Sequence, residues 1–106
     1  MTIDVLGTKY SINETNVVDD TYLNGADGYC DHTIKSIVID TFKPTHGSVK
    51  NLEDYKKQVI RHELIHAFLF ESGLGGESWA RDEEIVDWIA RMFPKLKKAF
   101  EDANAI

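Results

Sequence analysis

The chain has 106 residues with 12 basic and 18 acidic side chains, a formal net charge of −6 and an isoelectric point near 5.1, and its 42% apolar and 28% charged content is that of one ordinary globular domain. Such an acidic chain lacks the basic footprint of a nucleic-acid binder, no apolar run approaches the ~20 residues of a membrane span, and the single Cys30 excludes an internal disulfide framework. Met1-Thr2-Ile3-Asp4 also lacks the basic and apolar regions of a secretory signal, so the expectation is one soluble, cytoplasmic domain over residues 1–106.

Periodicity divides the chain into a strand-and-turn half (2–40) and a helical half (51–103). Ile3 and Val5 alternate with polar residues, Gly7 interrupts, and Tyr10 and Ile12 alternate again, which predicts a hairpin or bent strand. Residues 13–28 are polar, with Asn24-Gly25 and Asp27-Gly28 as turn dipeptides. Tyr29-Cys30-Asp31 and Ile34–Asp40 read as two short strands, turning near His32-Thr33, and Ile37-Val38-Ile39 is the most β-prone triplet. Pro44–Ser48 reads as a loop.

Asn51 is a fitting N-cap for a helix, with Glu53 and Asp54 in its dipole-favoured first turn, and Gly73 is its stop after about Ser72. Between Val59 and Phe70 only Arg61, His62, Glu63 and His66 are not apolar, which predicts a buried, central helix. A second helix is expected from a Ser78 cap to Phe93, and a short last one from Pro94 to about Ala103, because proline disfavours helix in the residue before it and suits a first turn. Trp79, Trp88, Phe68, Phe70, Met92 and Phe93 are read as packing residues.

His62-Glu63-Leu64-Ile65-His66 is an H-E-x-x-H pattern inside the first helix. Positions i and i+4 share a face, so both imidazoles reach one metal ion, while the intervening acid, rotated by about 100°, flanks it as a base acting on water. Zinc takes neutral imidazole and prefers four tetrahedral ligands; manganese, iron and cobalt suit the same donors. The alternative is a pair of hydrogen-bonded core histidines with Glu63 at the surface, which a burial penalty for unpartnered polar groups disfavours.

A third ligand is sought in Asp82-Glu83-Glu84-Ile85-Val86-Asp87, which the turn at Gly73–Gly76 folds back against the first helix. Glu83 and Asp87 share one face beside Val86 and Ala90, whereas Glu84 falls nearer Arg91 and Lys95. Two acids at i and i+4 repel unless a cation or a histidine N–H lies between them. Glu83 is therefore assigned to the metal and Asp87 to orienting a ligand histidine, with Glu84 as the alternative ligand. Taken alone, the cluster reads as a solvated acidic helix start.

His62-Glu63-x-x-His66 followed by Glu83-x-x-x-Asp87 resembles the gluzincin arrangement of zinc metallopeptidases. Asp82 and Val86 stand where thermolysin-like members carry Asn and Ser. More closely, RHELIHAFLFESGL, DEEIVDWIA, the terminal FPKLKKAF and DGYCDHTIKSIVID resemble small phage- and prophage-type metallopeptidases, related in pattern to ImmA/IrrE-type and other minimal gluzincins. The resemblance implies an α+β fold: a small, twisted, mostly antiparallel N-terminal sheet packed on a central H-E-x-x-H helix, then a Glu-bearing helix and a short C-terminal one. It also implies one zinc per chain, a peptide or protein substrate, and a phage or prophage origin in a bacterial host. Larger gluzincins add a His or Tyr that stabilises the oxyanion; none is recognisable after Asp87, and Tyr29, Tyr22, His32 and His46 are the open alternatives.

The expected activity is peptide hydrolysis, with zinc on His62, His66 and Glu83 and with Glu63 as general base. An extended substrate would lie antiparallel to an edge strand from between Tyr29 and Asp40. The rival reading is a catalytically weak zinc-binding interaction protein, a phage regulatory module, supported by the small size and the missing oxyanion donor. A third is a metal-dependent hydrolase of a non-peptide amide. Cys30 reads as a buried strand cysteine, with inhibitory thiolate ligation of the metal the alternative.

Overall fold

Alternating residues at the N-terminus fold as a hairpin, β1 (Thr2–Val5) against β2 (Thr8–Thr15), joined by Leu6 and Gly7, both at positive φ. This two-residue turn has the handedness that matches strand twist. The structure is a computed structural model that describes residues 1–44 and 49–106. A polar stretch with a short 3-10 turn at Thr21–Leu23 leads to β3 (Gly28–Asp31), which returns antiparallel to β4 (Ser36–Asp40). β4 inserts beside β2 in parallel, giving the order β1-β2-β4-β3 in a mixed sheet with β3 at one edge. Asn24-Gly25 makes the expected turn, both at positive φ. Asp27-Gly28 does not: Gly28 opens β3. A Cβ there would meet the Val38 carbonyl oxygen at 2.8 Å and the Val59 side chain at 3.2 Å, so close packing, not turn geometry, requires the glycine.

Helix α1 (Leu52–Glu71) begins where expected, the Asn51 side chain accepting from the Asp54 N–H at 3.1 Å. Val59, Glu63 and Ala67, each four residues apart, form its buried stripe; Val59 and Ala67 close a core with Val5, Tyr10, Ile12, Ile37 and Ile39 of the sheet. The C-terminal end is tied to the sheet through Glu71, which accepts from Tyr10 Oη (2.7 Å), Lys35 Nζ (2.7 Å) and Thr8 Oγ1 (3.3 Å). The helix is not buried all round as its composition suggested. One small sheet and one helix cover part of its circumference, leaving Phe68 and Phe70 at 43% and 37% exposure.

The second helix differs from expectation at both ends. Ser78 makes no side-chain cap and precedes only a 3-10 turn at Trp79–Arg81; α2 (Glu83–Asp102) starts at an Asp82 cap, whose carboxylate accepts from the Glu84 N–H. Pro94 does not begin a separate helix but lies inside α2. A proline there removes the bond to the carbonyl four residues earlier, that of Ala90. Arg61 Nε of α1 donates to that oxygen at 2.6 Å, so the freed acceptor is satisfied from the neighbouring helix. Val86 and Ala90 are the buried residues of α2, while Trp88, Phe93 and Phe100 stay half exposed, as does Trp79 before it. Among the described residues the result is a small α+β domain of one four-stranded sheet and two long helices, neither long and apolar enough to cross a membrane.

Candidate metal centre

The face of α1 next to its buried stripe carries His62 and His66, and α2 crosses it with Glu83 in its first turn. The two imidazole Nε2 atoms are 3.2 Å apart. Glu83 spans them, Oε2 at 2.8 Å from His62 Nε2 and Oε1 at 2.9 Å from His66 Nε2. A tetrahedral ion with ~2.0–2.1 Å bonds separates neighbouring ligand atoms by ~3.3 Å. The imidazole pair has that spacing, and the carboxylate needs to withdraw by only a few tenths of an ångström. Among the described residues, His62, His66 and Glu83 are the group of His, Cys, Asp and Glu side chains whose ligand atoms lie together, all within 4.8 Å. The donor set fits zinc.

Asp87, one turn beyond Glu83, places Oδ1 3.5 Å from His62 Nδ1 and Oδ2 3.7 Å from Arg91 Nη1. Glu84, the alternative ligand, lies outside the cluster, and it is Asp87, not Glu84, that Arg91 reaches. Glu63 is 6% exposed, whereas the His62 and His66 side chains are 19% and 24% exposed. This inverts the alternative of buried histidines with a surface acid. Burial pushes the Glu63 carboxyl up to about 7, the nearby Glu83 charge adding to the rise and His62 opposing it. Burial also lowers the His66 value, favouring the neutral imidazole.

A cleft of about 480 Å3 opens over these groups, with β3 (Gly28, Tyr29, Cys30) and His32 along one wall and Ala80, Arg81 and Glu83 along the other. A larger cavity of about 780 Å3, lined by Val17, Phe42, Leu52 and Tyr55 among others, has no histidine or cysteine among its described lining residues, whereas the smaller cleft holds His62, Glu63, His66 and Glu83 together. Of the four residues left open as oxyanion donors, Tyr29 lines the cleft but its hydroxyl donates to Asp20 Oδ2 at 2.5 Å. His32 lines it too, stacked on Phe70 at 3.8 Å between ring centroids. Tyr22 is 84% exposed, and His46 lies outside the described residues. Sequence reasoning passed over Arg81, a cleft-lining cation; it is the one base between Gly73 and Glu83, and that isolation was the available signal. The Cys30 thiol, pushed up to about 12 by burial and then by Glu63, Asp31 and Glu71, is held protonated and stands outside the metal-ligand group.

No protein-family model, curated protein or solved structure matches the chain.

Proposed function

We propose that this protein is a zinc metallopeptidase of minimal gluzincin type, of phage or prophage character. The observation that carries the reading is the convergence of His62, His66 and a bridging Glu83 beside a buried Glu63. A zinc ion bound by these three side chains supplies a Lewis acid for the scissile carbonyl and lowers the pKa of water. Glu63 takes the proton from the attacking water and returns it to the departing amine, a task that suits a carboxyl raised toward neutrality. Asp87, with Oδ1 3.5 Å from His62 Nδ1, is placed to favour the tautomer that presents Nε2 to the metal. β3 ends the sheet, and its outer edge offers main-chain hydrogen bonds to an extended peptide lying antiparallel to it in the cleft. Arg81 is the cleft cation suited to the developing oxyanion.

The test is a peptide-library digestion with zinc-loaded protein. Cleavage should appear with the wild type and vanish with Glu63→Gln, while zinc content stays near one per chain. Full activity in that variant, or loss of its metal, refutes the role assigned to Glu63. Zinc retention without any cleavage by the wild type favours the interaction-protein reading.

A further inference from the structure

Behind His62, at the end of the cleft where β3 begins, a second cavity of about 200 Å3 lies between α1, α2 and Gly28. Its size is that of one long side chain rather than of a small-molecule site. Its polar lining is Asp27, Tyr55, Gln58, Asp87 and Glu63. Tyr55 Oη donates to Asp27 Oδ2, which leaves the other Asp27 oxygen and the remaining lone pairs available. Asp87 faces His62 and, at 3.7 Å, the half-exposed Arg91. Glu63, nine-tenths buried, accepts no hydrogen bond from a described residue and lines the same cavity. Two carboxylates, Asp27 and Asp87, thus face a single cation, Arg91, and the Glu63 carboxyl, the Tyr55 hydroxyl and the Gln58 amide add further acceptors. Val59 and Gly28 provide an apolar floor for a methylene stem.

Resting on the peptidase reading above, we propose that this cavity is a specificity subsite for a lysine or arginine side chain immediately C-terminal to the scissile bond. The cavity shares His62 and Glu63 with the metal cleft, so a residue seated in it is adjacent to the reacting carbonyl. A peptide antiparallel to β3 runs from the Asp31 end toward Gly28, so its C-terminal side enters this cavity. Substrates are therefore basic at that position, in keeping with an acidic chain that attracts cationic peptides.

The test is a set of peptides differing only in the residue after one cleavable bond, digested by zinc-loaded protein and by Asp27→Asn and Asp27→Lys. Arginine and lysine should be preferred over norleucine by roughly tenfold, the gain of one charge-assisted contact. Asp27→Asn should reduce that ratio severalfold, and Asp27→Lys should move the preference to glutamate. Equal cleavage of all residues, or a basic preference untouched in both variants, overturns the subsite. Where no peptide is cleaved, the peptidase reading fails and the metal-free protein decides the subsite separately. N-acetyl-arginine amide should then shift the Asp27, Gln58 and Asp87 amide signals in NMR spectra, in the wild type more than in Asp27→Asn, and N-acetyl-norleucine amide should not. Absence of that difference overturns the proposal.

Discussion

Glu83 and Glu84 are adjacent in sequence and both exposed, yet only one lies on the histidines, which makes their alanine variants a direct measure of the metal site. Glu83 is 67% exposed, so its loss removes solvent-screened contacts and leaves the metal-free protein close to its original stability. Its effect on zinc should be large. Removing a group that merely orients a ligand costs ~10–100-fold in metal affinity, so removing a ligand costs at least ~100-fold. At a free zinc concentration 100 times the wild-type Kd, zinc stabilises the wild type by ~2.7 kcal/mol and a 100-fold weaker variant by ~0.4 kcal/mol. With ~4–8 °C of melting temperature per kcal/mol for a domain near this size, the zinc-induced rise should shrink by ~10 °C or more in Glu83→Ala. Glu84→Ala should keep the wild-type rise. The assay is thermal unfolding followed by circular dichroism at fixed free zinc, with metal content by mass spectrometry. A full rise in Glu83→Ala, or a lost one in Glu84→Ala, refutes the assigned site.

Further outcomes concern the groups around it. Glu63 has a folded-state value of about 7, above the ~4.3 of an unfolded glutamate. Its ionisation therefore costs nothing below the unfolded value, costs progressively more up to the folded value, and stays constant above it. Without metal, Glu63→Gln should melt increasingly above the wild type as pH rises from 4 to 7 and hold a constant gap beyond; a gap independent of pH refutes the burial argument. Gly28→Ala should cost ~1–3 kcal/mol by overpacking against the Val38 carbonyl and Val59, read as a lowered denaturant midpoint; an unchanged midpoint shows that β3 yields freely. Cys30 should react slowly with a disulfide reagent at pH 8 in the folded protein and rapidly in denaturant; equal rates contradict its raised pKa. Arg61→Met should cost ~1–3 kcal/mol by orphaning the Ala90 carbonyl, and much less in a Pro94→Ala background where the helix supplies its own N–H; equal costs in both backgrounds refute the compensation.

The parts of the fold legible in the sequence are those set by local pattern. Alternation marked β1 and β2, the Asn51 cap and Gly73 bracketed α1, and the i, i+4 spacing put both histidines on one face. The face shared by Glu83 and Asp87 followed from the helical period, and α2 presents it to the histidines. What escaped depended on partners far along the chain. Parallel pairing of β2 with β4 has no local signature, because it is set by the β3–β4 hairpin folding back across the sheet. Gly28 looked like a turn residue, and only the approach of Val59 and the Val38 carbonyl shows why it has no side chain. Arg81 carried too little pattern to stand out, since a lone base in a loop is ordinarily solvated.

Pro94 shows how such a long-range contact bears on the site. Judged by its neighbours in sequence it ends a helix, and the cost of a proline in a helix interior is ~3 kcal/mol or more, partly from the lost hydrogen bond. The Ala90 carbonyl that Pro94 deprives is capped by Arg61, the residue immediately before His62. The same contact fixes α2 against α1 about two turns from Glu83. A helix held at that point presents Glu83 and Asp87 to the histidines in a single register, whereas an axial slip of one residue, ~1.5 Å, would carry a carboxylate out of reach of one imidazole. Arg61 thus bears on the candidate metal centre without touching it. Zinc affinity in Arg61→Met should fall even though every ligand remains, and Pro94→Ala, which restores the helical bond but not the clamp, should not recover it. Recovery of affinity by Pro94→Ala would place the effect in helix stability alone, and unchanged affinity in Arg61→Met would show that the register is held elsewhere.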